Sequence, residues 1–175
     1  MERIQLGSLE ISSVPSIPTL VDEVVVDERY LVCRNGAVLY AVPLRSVVET
    51  MRPQPVVALE GLPAFLLGVA TIRGAPVPVV DLACMTRSSG QRLSKRFVTL
   101  DLNSRCVAIA VDDVLGVRQI QASMLGALPP LLSDLDEGAV SSVATLDDGL
   151  LLVLHAARLL TDAAWAAIEA GQGAS

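Results

Sequence analysis

The chain carries few groups able to do covalent chemistry. His155 is the only histidine and follows the apolar run Leu150–Leu154, which predicts a buried, hydrogen-bonded imidazole. A single histidine with no G-x-S-x-G motif leaves no Ser-His-Asp arrangement. Cys33, Cys84 and Cys106 are far apart and none belongs to a C-x-x-C pair, the spacing that zinc or redox work requires. Cys33 and Cys106 fall inside apolar stretches, where a thiol acts as a small hydrophobe. The acid pairs Asp112-Asp113 and Asp147-Asp148 close apolar runs in turn contexts, whereas a cation site needs more oxygen ligands at loop spacing. Neither a phosphate-binding loop nor a dinucleotide fingerprint is present. These readings predict no catalytic, cofactor-binding or metal-binding residue. One charged side chain stands out. Arg73 interrupts the otherwise uncharged stretch Leu67–Val80 and is followed by Gly74. A guanidinium at a hairpin tip can cover apolar neighbours with its stem, or hold a carboxylate through paired hydrogen bonds and still present an edge to a partner.

The elements that position Arg73 are read from apolar runs and turn residues. Tyr30–Arg34 and Ala37–Val42 form strands around Asn35-Gly36, read as a type I′ turn. Leu44–Met51 is a bend leading into a strand, and residues 53 to 63 form a loop with three prolines. Leu67–Ile72 and Ala75–Leu82 are the arms of the Arg73-Gly74 hairpin, with Gly68 and Gly74 serving backbone geometry. After a polar loop from Thr86 to Arg96, Phe97–Asn103 alternates as a half-buried strand. Asn103-Ser104 turns the chain, and Arg105–Val111 is apolar enough to be buried on both faces. Val140–Leu146 and Leu150–Leu154 make a further hairpin. A helix follows, capped by Thr161, with Asp162 in its first turn and Gly171 as its stop. Residues 1–28 read as a flexible or loosely docked extension, with Pro15 and Pro18 against any helix, and residues 172–175 as a tail.

These elements repeat. Val69-Ala70-Thr71-Ile72 before a turn and an apolar strand matches Val143-Ala144-Thr145-Leu146 in the same setting, and the Tyr30–Val42 hairpin matches Phe97–Val111. The period of roughly 70 residues is too long for a solenoid and points to two small β-barrels. Each alone is near the lower size limit for a stable core, so a shared apolar interface is expected, with Val79, Val107 and Leu152 buried.

The composition narrows the function classes. The chain has 175 residues, 52% of them hydrophobic, a formal net charge of -6 and five aromatic side chains of the Phe, Trp and Tyr types. That balance argues against nucleic-acid binding, which calls for a basic face and stacking platforms. Arg87, Arg92, Lys95 and Arg96 crowd one loop, as a solvated segment or a patch for an acidic partner. The N-terminus shows no basic-then-apolar leader and no window is long and apolar enough to span a bilayer, so a cytoplasmic location is expected.

The hairpin Leu67–Leu82 resembles the signature of the CheW-like family, adaptor proteins of bacterial chemosensory arrays. The family's usual hairpin reads Asn-Leu-Arg-Gly followed by a Pro-Val-x-Asp-Leu strand; here Thr71 replaces the Asn. Leu39–Leu44 followed by Val47 and Glu49, Leu62–Phe65 before Gly68-Val69, Val107–Asp112 with Val114, and Leu150–Leu160 resemble other parts of the family pattern. The resemblance implies an all-β fold of two pseudo-repeated, five-stranded SH3-like barrels, interleaved over residues 29–171, on a shared core with a C-terminal helix. It implies a protein without catalysis or cofactor. Its partners would be the regulatory domain of a CheA-type histidine kinase, the cytoplasmic tip of a methyl-accepting receptor, and other CheW-like domains in an array. Arg73 would pair with Glu49 at the receptor contact, with Val47 and Met51 exposing apolar area beside it. Ordinary core packing for Val47 and a solvated Glu49 are the structural alternatives. A divergent adaptor that binds one partner alone, or a small-ligand-binding barrel, are the alternative functions.

Overall fold

The computed structural model describes residues 27–85, 94–133, 138–147 and 149–173. The extension up to residue 26, Arg87, Arg92 and Asp148 lie outside the described residues. Among the described residues, eleven strands make two sheets. The strands are β1 (Glu28–Asn35), β2 (Val38–Pro43), β3 (Val47–Met51), β4 (Val56–Val57), β5 (Leu66–Ile72) and β6 (Ala75–Asp81), then β7 (Arg96–Asp101), β8 (Cys106–Val111), β9 (Asp113–Ile120), β10 (Val140–Leu146) and β11 (Gly149–Leu154). The α-helices among the described residues are α1 (Leu82–Met85), α2 (Pro130–Ser133) and α3 (Asp162–Gln172).

The first sheet has the order β10-β11-β2-β1-β9 and the second β3-β7-β8-β6-β5-β4. The repeat is therefore strand-exchanged. Hairpin β1–β2 of the first cycle joins β9, β10 and β11 of the second, while hairpin β7–β8 of the second cycle joins β3, β5 and β6 of the first. Each sheet holds one parallel contact, β11 with β2 and β6 with β8, at corresponding places. The second sheet has a sixth strand, the two-residue β4 inside the proline-rich loop, so the expected count of five holds for the first sheet alone.

Exchange explains why the strands are apolar on both faces. One face of each sheet encloses its own small core: Tyr30, Val32, Ala41, Ala144, Leu151 and Val153 in the first, and Ala70, Ile72, Val77, Val79, Phe97 and Ala108 in the second. The opposite faces meet in the shared core, where Leu31, Tyr40, Val42 and Leu152 of one sheet pack with Val98, Leu100, Val107 and Ile109 of the other. Val79, Val107 and Leu152 are buried as expected. Ala164 and Ile168 of α3 close the shared core. Thr161 caps this helix, its hydroxyl accepting from the Ala164 N–H at 3.2 Å.

Four local expectations are corrected. The first hairpin turns at Gly36-Ala37, because Asn35 pairs with Val38 as the last strand residue; positive φ falls on Gly36 alone, at 59°, the type II′ pattern. β7 is buried on both faces rather than one, because Phe97 packs in the second sheet's own core while Val98 and Leu100 pack in the shared core, and Thr99 is covered with them. Cys106 opens β8 at an exposed position, leaving Cys33 as the buried thiol. Helix α3 continues through Gly171 to its cap at Gly173.

Candidate functional site

Arg73 and Gly74 are the two central residues of the β5–β6 turn, with φ of 51° and 80°. Positive φ at both centres is the type I′ geometry that matches strand twist. It costs Arg73 some strain, since non-glycine residues avoid this region. From the turn the guanidinium reaches Glu49 on β3, at the opposite side of the sheet order. Nε donates to Oε1 at 2.6 Å and Nη2 to Oε2 at 2.7 Å. The sheet has thus curled until its hairpin tip meets its β3 edge, and a bidentate ion pair spans the mouth of the barrel. Arg73 is 78% exposed and Glu49 25%. The guanidinium's hydrogen bonds hold the Glu49 carboxyl below the usual glutamate range, and Glu49 raises the Arg73 value in turn.

Glu49 faces the mouth because of a β-bulge. Val47 pairs with Leu100 and Glu49 with Thr99, so Val48 is the extra residue. The bulge separates Val47, which packs on the shared core, from Met51, which packs on the small core beneath the ion pair. Both are half-buried. Freely exposed apolar side chains of this sheet are Val48, beside Glu49 on β3, at 58% and Val57, on β4, at 65%, which the sequence reading did not single out. The Thr99 hydroxyl donates to the Glu49 carbonyl and steadies the bulge. Gly68 is not in the turn. It sits at a bulge within β5, with φ of 135°, where an added Cβ would lie 2.1 Å from the Val57 carbonyl oxygen. The glycine lets β4 approach and close the edge. Pro76 and Pro78 are tolerated in β6 because β8 pairs with it only from Val79 onward. The Thr71 side chain is exposed and makes no hydrogen bond among the described residues.

Other polar groups tie the sheets together. Asn35, 5% exposed, donates from Nδ2 to the Ala110 carbonyl at 3.3 Å, and its Oδ1 accepts from the Asp112 N–H at 2.7 Å. The second predicted acid pair partner, Asp113, holds Arg34 at 3.1 Å. Glu28 accepts from the Tyr30 hydroxyl and from Arg45. His155 is exposed rather than buried and helps line a cavity of about 290 Å³ between the sheets. A satisfied core histidine was expected because the preceding strand is apolar, but β11 ends at Leu154 and the imidazole emerges. Burial pushes the Cys33 thiol up to about 12 and raises Cys84 and Cys106 as well. A raised thiol is a poor nucleophile. This surface displays a bidentate ion pair, with the exposed Val48 next to Glu49 on the same strand.

Comparison with known proteins agrees with this architecture. A family profile described as the CheW-like domain matches residues 29–164. A probable chemotaxis protein CheW of Rhizobium etli is 24% identical over 138 residues, covering 78% of this chain and 89% of that protein. Chemotaxis protein CheW of Klebsiella aerogenes is 25% identical, covering 82% and 88%. Protein FrzA of Myxococcus xanthus is 30% identical over 109 residues, covering 61% of this chain and 66% of its own length. The crystal structure of the scaffolding protein TtCheW from Thermoanaerobacter tengcongensis superposes with a TM-score of 0.66 at 21% identity, covering 79% of this chain and 95% of that one, and so shares the fold. With most of its length matched by the profile and the strand-exchanged double sheet in place, the chain belongs to the CheW-like domain family.

Proposed function

We propose that this chain is a non-enzymatic adaptor that couples methyl-accepting chemoreceptors to a CheA-type histidine kinase. The observation that carries the reading is the exposed, bidentate Arg73–Glu49 pair, held at a barrel mouth by a strained turn and a bulge. A structure that spends local strain to present a charged pair at the surface supports a recognition role. In this reading Arg73 and Glu49, with Val47 and Met51 beneath them and Val48 beside them, contact the receptor tip. The kinase regulatory domain takes a separate surface, and the protein works in the cytoplasm at receptor arrays with other CheW-like domains. No described helix is long and apolar enough to cross a membrane.

The test is titration of the purified protein against a receptor-tip fragment and against a kinase regulatory domain. Saturable binding to both is expected. Binding to one alone would make it a divergent adaptor, and binding to neither would overturn the reading.

A further inference from the structure

The two places where the chain crosses between sheets are equivalent in the repeat but built differently. One crossing is β8 to β9 at Asp112; the other is β2 to β3 through the helical turn Leu44–Ser46. The equivalence follows from register. Val114 and Gly116 flank a bulge opposite Cys33 and Val32, as Val47 and Glu49 flank one opposite Leu100 and Thr99. Counting back along both strands sets Asp112 against Arg45. Counting along both hairpins sets Asn35, paired with Val38, against Leu102, whose N–H donates to the Arg105 carbonyl.

At Asp112 the crossing is clamped. Its N–H is shared by Asn35 Oδ1 at 2.7 Å and the Arg34 carbonyl at 3.0 Å, and its Oδ2 accepts from the Gly36 N–H at 2.8 Å. Asn35 also donates to Ala110, so one buried amide ties the β1–β2 hairpin to the second sheet. At Arg45 the side chain swings outward, 75% exposed, to reach Glu28. Leu102 has no polar side-chain group to match Asn35. Among the described residues, no hydrogen bond joins 44–46 to 101–103. The space there is a cavity of about 290 Å³, walled by Arg45, Ser46, Leu102 and Asn103 on these elements and by His155 opposite.

We propose that the interface between the sheets is locked at the Asn35–Asp112 clamp and adaptable at the Arg45 crossing. Satisfied buried hydrogen bonds rigidify the first end, and free volume at the second lets packed elements shift, which a filled interior resists. The shared apolar core limits the amplitude to what the cavity can absorb. Leu44–Ser46 and the β7–β8 turn are then the elements that move, with Asp112 as the fixed end. The inference does not depend on which partner is bound.

The experiment is amide hydrogen exchange and relaxation dispersion on the full chain, alone in solution. Slow exchange at Asp112 and Gly36, close to that of Ala108 in β8, is expected, with Arg45 and Ser46 at least about tenfold faster. Microsecond-to-millisecond exchange broadening should fall on Arg45, Ser46 and Asn103. In Asn35→Leu, which copies the side chain at the equivalent position, the Asp112 N–H keeps only the Arg34 carbonyl as acceptor and should exchange at least about tenfold faster than in the parent while Ala108 is unchanged. Equal rates at Asp112 and Arg45 in the unaltered protein would overturn the proposal, and so would a folded Asn35→Leu protein in which Asp112 exchanges at the parent rate. If that variant does not fold, the comparison within the unaltered protein decides.

Discussion

Glu49 and Gly116 occupy equivalent positions, each the residue after a β-bulge on the strand that receives the exchanged hairpin. Their turn partners are equivalent too: Arg73 opens the β5–β6 turn, and Asp147, with φ of 49°, opens the β10–β11 turn. The ion pair that braces one barrel mouth therefore has a glycine and an acid in its place in the other. The bulged residues themselves, Val48 and Leu115, are both exposed apolar side chains. The fold repeats its backbone and its apolar surface, and differentiates the two ends by charge.

Arg73→Glu tests the proposed receptor contact. The fold should persist, since exposed substitutions usually shift stability by no more than ~0.5 kcal/mol. Affinity for a receptor-tip fragment should drop roughly 30-fold to several-thousand-fold, the range for losing a hydrogen-bonded charge at an interface. Affinity for the kinase regulatory domain should hold. Unchanged receptor binding would remove Arg73 from the site, and equal losses on both partners would indicate misfolding, which a circular-dichroism melt detects. The double exchange Arg73→Glu with Glu49→Arg restores a pair with reversed polarity. Recovery of binding in it would assign the pair a bracing role; continued loss would assign Arg73 direct contact.

Gly68→Ala tests the closed edge of the second sheet. The added Cβ would collide with Val57 backbone, which has to move as a unit with Ala58. Displaced β4 and a non-glycine residue at φ of 135° should together cost about 1–3 kcal/mol. Urea unfolding should show a lowered midpoint with an unchanged slope. A midpoint equal to that of the parent would mean that β4 is not seated against Gly68.

Much of this architecture was legible in the sequence because turns announce themselves. Asn103-Ser104 and Arg73-Gly74 adopt positive φ at both centres, and Val69–Ile72 and Val143–Leu146 advertise the repeat. Which hairpin joins which sheet was not legible, since exchange leaves local periodicity untouched. Strand β9 escaped notice because Gly116 and its bulge interrupt the alternation that marks a strand. The same device at Val48 hid the fact that Val47 and Met51 serve different cores. Arg73 and Glu49 were paired through family resemblance alone, as their separation along the chain carries no local signal. Asn35 looked like a turn residue, and its role as a buried clamp depends on Ala110 and Asp112, residues brought to it by the exchanged topology.

Val107→Asp tests the shared core. Val107 is fully buried between the sheets, with apolar neighbours from both. An unpaired carboxylate there should cost several kcal/mol, comparable with the whole stability of a domain this size. Insoluble or unfolded protein is the expected result. A soluble variant with the parent melting curve would contradict the shared core.

Alkaline stability tests the environment of Cys33. Its thiol is raised from 9.0 to about 12, mainly by burial and secondarily by the Asp113 charge. Tyr30 is raised from 10.0 to about 12 by burial and by Glu28. Below pH 9 both states of the chain keep both protons, so neither group makes stability depend on pH. Above it the unfolded chain releases the Cys33 proton first while the native state retains it, and the unfolded state binds fewer protons. Stability should therefore fall from about pH 9, more steeply once Tyr30 joins above about pH 10, and be exhausted as a linkage effect near pH 12. Cys33→Ala should lower the whole curve by a cavity cost on the order of 1 kcal/mol and reduce its slope between pH 9 and 10, where Tyr30 does not yet contribute and the raised thiols of Cys84 and Cys106 remain. Guanidinium unfolding at half-unit steps from pH 8 to 11 reads both effects. Equal slopes for Cys33→Ala and the parent over that interval would show that the Cys33 thiol ionises as readily in the folded protein as in the unfolded chain.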